Sequence, residues 1–288
     1  MNATGLALTV LSSVGWGAMD VLRKMLSERM PATALFVLLL VGQLPVFVVW
    51  LMVDGGFAVG AEYWGFGIAD ATVAVISNLI FLYALRIAPL SLSIPMLSLT
   101  PAFAVGIAGA LIGEWPERLQ LIGVGVVVVG ALVLSWPKQD ATTLRGWLAE
   151  PGVWLMALVS AMWAGTLTLD KLALAHTSTP MHAILVSLLQ IIGTLGVMAV
   201  RGELVTLTQN RDTWPTVGVT VLCGVVATGA QMLAVQLILV SLVEAIKRAV
   251  GLALAAINGR LFFGEAVTAR TIVAIIMMAL GVVLASVR

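Results

Sequence analysis

No charged residue interrupts the chain between Arg86 and Glu114, between Arg118 and Lys138, or between Asp212 and Glu244. A helix rises about 1.5 Å per residue, so roughly 20 apolar residues cross a hydrocarbon core of about 30 Å. Ten stretches of that kind can be marked, at about 4–24, 32–53, 64–85, 91–113, 118–137, 152–171, 181–200, 215–238, 241–263 and 268–287. The fold class this predicts is an all-α integral membrane protein with ten transmembrane helices. Only 10% of the residues are charged, against about 25% in a soluble domain. Ten crossings consume about 200 residues, which leaves short loops and no room for a separate soluble domain. The opening MNATGLALTVLSSVGWG has no basic n-region, so it reads as the first span rather than a cleaved signal.

Composition also excludes chemistries. A net charge of +1 lacks the basic footprint of a nucleic-acid binder. One cysteine, Cys223, supports neither a disulfide framework nor a thiolate metal site. No HExxH, CxxC or GxxxxGK[ST] pattern occurs, so no metal, no cofactor and no ATP-driven step is expected. His176 and His182, flanking Pro180, read as a solvated or interfacial pair. No nucleophile–base spacing marks the chain as an enzyme.

The chain repeats itself. Placing Trp16 on Trp163, an offset of 147, brings Ser13 onto Ser160, Lys24 onto Lys171, Gln43 onto Gln190 and Gly55 onto Gly202. Later in each half the offset becomes 151, and Gly113-Glu114 meets Gly264-Glu265 while Gly130 meets Gly281. The polar stretch from Trp136 to Pro151 divides the two copies, giving repeats at 1–138 and 139–288. Five spans per copy is an odd number, so the second copy enters the membrane inverted. Inverted repeats are the architecture of carriers that work by alternating access.

Within the first copy, the stretch Ala88–Glu114 combines an apolar run with Ser91, Ser93, Ser98, Thr100 and the prolines 89, 95 and 101. Interior prolines survive in lipid where neighbours or a cavity satisfy the freed carbonyls. That predicts a bent, pathway-lining helix. PMLSLTPAFAVGIAGALIGE at 95–114, followed by LQLIG at 119–123, resembles the EamA-type branch of the drug/metabolite transporter superfamily, as does the second GlyGlu pair followed by Gly281. The resemblance implies a ten-helix secondary carrier in the bacterial inner membrane. Its substrate would be a small polar metabolite, an amino acid or organic anion among the candidates, moved outward. The resemblance does not transfer a proton site, since Asp20 is the only carboxylate in the first span and lies past its middle. A non-transporting scaffold, an intramembrane enzyme and a lipid flippase stay open as other readings. The partners expected are the substrate and the lipid bilayer, not nucleic acid, with the chain a monomer or a homodimer.

Charges inside spans are costly and mark cavities or partners. Glu244, Lys247 and Arg248 lie in the ninth span, roughly 5 to 10 Å from the face that bears the N-terminus at about 1.5 Å per residue. Asp170, Lys171 and Asp70 approach the same face from the sixth and third spans. Either Lys247 or Arg248 holds an anionic substrate group, or these residues form a salt-bridge gate. Asp20 with Arg23 reads as an intrahelical pair. Cavity-lining candidates are Trp16, Trp163, Asn78, Tyr83, Ser98, Thr100 and Gln231. Loops on the N-terminal face hold Arg118, Lys171 and Arg288, whereas ten basic residues fall to the other face. The positive-inside rule therefore puts the termini outside, whereas the resemblance implies termini in the cytoplasm.

Overall fold

The computed structural model describes residues 2–27, 29–87, 94–135, 150–202, 213–263 and 268–287. The described chain is all-helical apart from one bridge between loops. In order run α1 (Ala3–Ser27), α2 (Ala32–Asp54), α3 (Tyr63–Ile87), a 3₁₀ segment (Ile94–Leu99), α4 (Thr100–Ile112) and α5 (Arg118–Ser135). The second half holds α6 (Pro151–Leu174), α7 (Thr179–Arg201), α8 (Trp214–Leu237), α9 (Val240–Phe263) and α10 (Ala269–Ser286). Nine of these segments are long and apolar enough to cross a membrane. The described helix outside that set is α9, which carries Glu244, Lys247 and Arg248 in its first three turns.

Local chemistry sets the ends. Proline stands at the first or second position of α4, α6, α7 and α8, where its missing N–H costs nothing. Gly55, Gly113 and Gly202 follow α2, α4 and α7 with φ near +70°, the left-handed conformation that glycine adopts freely at a helix C-terminus. The fourth span is irregular at its start. Residues 94–99 wind as a 3₁₀ helix and pass into α-helix at Thr100, between Pro95 and Pro101, neither of which can donate a helical hydrogen bond. The beginning of the stretch, 88–93, lies outside the described residues.

Packing follows an exchange of halves. α1 lies on α8 as α6 lies on α3; α1 meets α9 as α6 meets α4; α3 meets α7 as α8 meets α2. The self-paired contacts are α2 with α7, α4 with α9 and α5 with α10. Swapping each helix for the one five places away maps this set onto itself, as an inverted five-plus-five repeat requires.

The α5–α10 contact is the closest. A Cβ placed on Gly123 would lie 2.6 Å from the Gly281 carbonyl, and one on Gly281 would lie 2.8 Å from both the Gly123 carbonyl and the Val127 nitrogen. Backbone meets backbone there, as small residues allow in membranes. Large apolar side chains such as Met52, Val53, Ile192 and Val200 face outward; patches of that extent suit lipid rather than water.

On the N-terminal face the α2–α3 and α6–α7 loops are joined. Val59 and Thr177 form an antiparallel bridge, and Gly60 N donates to His176 O at 2.9 Å. Thr177 and Ser178 hydroxyls donate to the Ala58 and Gly56 carbonyls. The two halves are thus joined by hydrogen bonds at this face.

Candidate functional site

The residues singled out in the sequence fall into three groups. The first is centred on α9. Its α-helix starts at Val240, so Glu244, Lys247 and Arg248 point from one face into the bundle. Lys247 Nζ donates to Glu244 Oε1 at 2.9 Å, and Glu244 is buried. Arg248 reaches across to α4, where Nη2 donates to Thr100 Oγ1 at 3.2 Å. Thr100 donates to the Leu97 carbonyl at 2.7 Å and meets Ser160 Oγ of α6 at 2.8 Å. A hydroxyl has one proton, so Thr100 accepts from both Ser160 and Arg248.

The Nε of Arg248 is buried without a hydrogen-bond partner. On α1, Asp20 faces Arg23 at 4.0 Å. Asp20 of α1 and Glu244 of α9 are the acids of this group. Each of those acids already has a nearby cation, Arg23 and Lys247 respectively, and among the described residues Arg248 makes no ion pair. Among the described side chains of this group there is therefore one positive charge in excess.

The uncharged candidates divide. Trp16 Nε1 donates to Gln231 Oε1 at 3.0 Å across α1 and α8. Its counterpart Trp163 packs on Phe81 with ring centroids 5.5 Å apart. Ser98 and Thr100 are buried. Asn78 bonds back to the Ala74 carbonyl of its own helix at 2.8 Å, and Tyr83 is more than half exposed.

The second group is an ion pair at the N-terminal face. Lys171 of α6 pairs with Glu114, just beyond α4. Lys171 Nζ also donates to the Ile238 carbonyl at 2.9 Å, and Glu114 Oε2 accepts from Val240 N at 3.1 Å. Together the two side chains satisfy backbone groups at the α8–α9 break, where helix ends leave them open. Beside them is a cavity of about 190 Å³ lined by Asn2, Glu114, Gln120, Lys171 and Gln236. The repeat register offers Lys24 and Glu265 as counterparts; the Lys24 side chain and Glu265 lie outside the described residues.

The third group was not foreseen. Asp70 of α3, Asp170 of α6 and His182 of α7 converge, each offering a ligand atom within 4.8 Å of the others. His182 Nε2 lies 2.9 Å from Asp170 Oδ1, and its Nδ1 lies 3.0 Å from the Tyr63 hydroxyl. His182 and Tyr63 are fully buried, Asp70 is 2% exposed and Asp170 7%. This corrects the reading of the two histidines as a solvated or interfacial pair. Only His176 fits it, half-buried against Phe66 and 3.4 Å from Glu62. Along the sequence His182 has no closely spaced acidic neighbours, and the cluster assembles only in three dimensions. Sequence spacing could not reveal it, because three different helices contribute the residues. Asp70 and Asp170 thus stand apart from the α9 charges and do not join them in one network.

The sequence model of the EamA-like transporter family matches residues 3–136 and again 150–287. An uncharacterized protein of Methanocaldococcus jannaschii is 25% identical over 132 residues, covering 46% of this chain and 96% of its own length. That relative is thus about one repeat long. A solved crystal structure, 15% identical, superposes with a TM-score of 0.76 over 98% of this chain and 96% of its own. At that identity the likeness speaks for the fold alone.

Proposed function

The chain belongs to the EamA-like transporter family, and from that premise we propose that it is a secondary carrier that exports a small polar metabolite bearing an anionic group. It is a multi-pass membrane transporter of the drug/metabolite type; substrate class, direction and mechanism are our reading. One observation carries the substrate class. Among the described residues Arg248 makes no ion pair, and its buried Nε–H is unsatisfied. A half-buried guanidinium whose Nε–H is enclosed and unsatisfied is costly unless a ligand completes it. A carboxylate or phosphate can take two of its N–H groups at once, with Thr100 holding the rest of the fork in place. Amino acids and organic anions carry such a group.

The transport cycle we propose is alternating access between the halves. In the conformation described, the N-terminal face is held by Lys171–Glu114 and by the bridged loops, which would have to part for substrate to pass there. Export follows the resemblance to outward carriers of this type.

Counterflow in proteoliposomes tests the substrate class, with a panel of amino acids, organic acids, sugar phosphates and neutral controls. A hydrogen bond to a charged group contributes about 1.5 to 3 kcal/mol. Arg248→Ala should therefore raise KM for the anionic substrate by roughly ten- to a hundredfold, with Arg248→Lys in between. An unchanged KM in Arg248→Ala, or transport confined to neutral or cationic compounds, removes the reading.

A further inference from the structure

We infer that Asp70, Asp170 and His182 form a binding site for one divalent transition-metal ion of the zinc class, with Tyr63 fixing the histidine tautomer. The site is independent of the substrate reading, since it lies in a separate group of residues and its test does not require transport.

The argument starts from charge. Two carboxylates face each other in a region with almost no solvent access. Burying a pair of anions without a compensating cation is prohibitive. Apart from His182, whose Nε2 lies 2.9 Å from Asp170 Oδ1, the described cations nearby are committed elsewhere. Lys171, one residue from Asp170, turns to Glu114 and the Ile238 carbonyl. Arg248 lies on Thr100, and His176 faces Glu62. Gln236 of α8 spends its amide on Thr179 Oγ1 and the Met232 carbonyl. Asp70 Oδ1 is left buried with no hydrogen-bond partner. A lone acceptor beside a second carboxylate asks for a positive ion.

The imidazole narrows the ion. When Nε2 binds the ion its lone pair faces the two acids, and Nδ1 then carries the proton and donates to the Tyr63 oxygen, 3.0 Å away. This is the outer-shell arrangement that orients a metal-bound histidine. A nitrogen ligand with two carboxylates suits zinc, manganese or cobalt better than magnesium or calcium, which prefer oxygen alone. A dication on two carboxylates and a neutral imidazole is formally uncharged, so the buried set becomes neutral. Three protein ligands leave the fourth position of a tetrahedral ion for a water. Because the ligands come from α3, α6 and α7, the bound ion ties the first half to the second close to the bridged loops.

The test uses the full-length protein in detergent, stripped with a chelator and dialysed against Zn²⁺. About one zinc per chain should be retained by elemental analysis. Asp70→Asn and His182→Gln should fall to background, and His176→Ala should keep the metal. Tyr63→Phe should keep the stoichiometry but weaken affinity by about ten- to a hundredfold. If the ligand variants fail to fold, Co²⁺ on the wild-type protein decides, since a histidine–carboxylate site gives d–d bands that Zn²⁺ displaces. Wild-type protein that holds no zinc and shows no such bands overturns the inference, leaving a shared proton as occupant of the carboxylate pair. Loss of zinc from His176→Ala alone overturns it too, because the metal would then sit at the loop histidine.

Discussion

α4 and α9 hold equivalent places in the two halves and are built differently at the same depth. The first arrives as a 3₁₀ segment from Ile94 and turns α-helical only at Thr100. The second is α-helical from Val240 and brings Glu244, Lys247 and Arg248, where the register of the first copy has Ser93, Met96 and Leu97. Met96 and Leu97 are buried in an apolar cluster with Val153, Met156 and Val159. The two charged residues at the matching positions instead meet Glu244 and Thr100. α5 and α10 show the opposite behaviour, since both keep small residues at their contact. Positions that hold helix to helix have stayed paired, and the interior lining has diverged.

That contrast can be attacked where it looks most symmetric. Gly130 and Gly281 are register mates, yet their surroundings differ. A Cβ on Gly281 meets backbone atoms and the stiff Val127 Cγ2 at 2.8 Å, whereas one on Gly130 meets the flexible Met278 Cγ at 2.8 Å and the Ala274 carbonyl at 3.1 Å. Alanine gains about 1 kcal/mol of helix propensity at either place, and overpacking costs about 1 to 3 kcal/mol. Gly281→Ala should lower the unfolding midpoint in detergent clearly, and Gly130→Ala should leave it nearly unchanged. Equal effects would mean that the seam is more symmetric than described.

A middle-sized effect is expected at the ion pair. Glu114→Gln keeps the shape but removes the charge that Lys171 meets, and should cost about 1 to 3 kcal/mol. Lys171→Met should cost a similar amount, and the double variant less than the sum of the two. Additive losses would separate the two residues. The smallest effect should distinguish the matched tryptophans. Trp16→Phe loses a hydrogen bond to Gln231, about 1 kcal/mol, and Gln231→Leu should abolish the difference. Trp163→Phe keeps an aromatic ring against Phe81 and should cost about half as much.

Much of the fold was legible in the sequence because lipid imposes a simple length rule and the repeat imposes a register. The irregular start of the fourth span, 3₁₀ before it turns α-helical, was readable from Pro95 and Pro101. The Lys171–Glu114 contact was not: both residues stand in the repeat register, yet nothing there says that the pair crosses from one half to the other. Neither was the partner of Arg248, because Thr100 and Ser160 lie on helices whose rotation no single sequence fixes. His182 was the clearest miss. It was weighed with His176 because they are close along the chain, whereas α7 turns one inward and the preceding loop keeps the other at the rim. The signal available was its place four residues into α7, opposite two carboxylates already noted for their depth.

The α5–α10 seam has one more consequence. Side chains adapt to motion by changing rotamer, but where Gly123 and Gly281 meet the neighbours are mainly backbone atoms, with the stiff Val127 side chain beside them. Sliding would drive carbonyl into amide, and separation would strip the contact at once, so the seam has no soft coordinate. Movement of the two halves against each other is therefore stiff at this pair and compliant at the far loops, whose hydrogen bonds exchange readily with water. The molecule behaves as a clasp that is riveted along one edge and buttoned at the other.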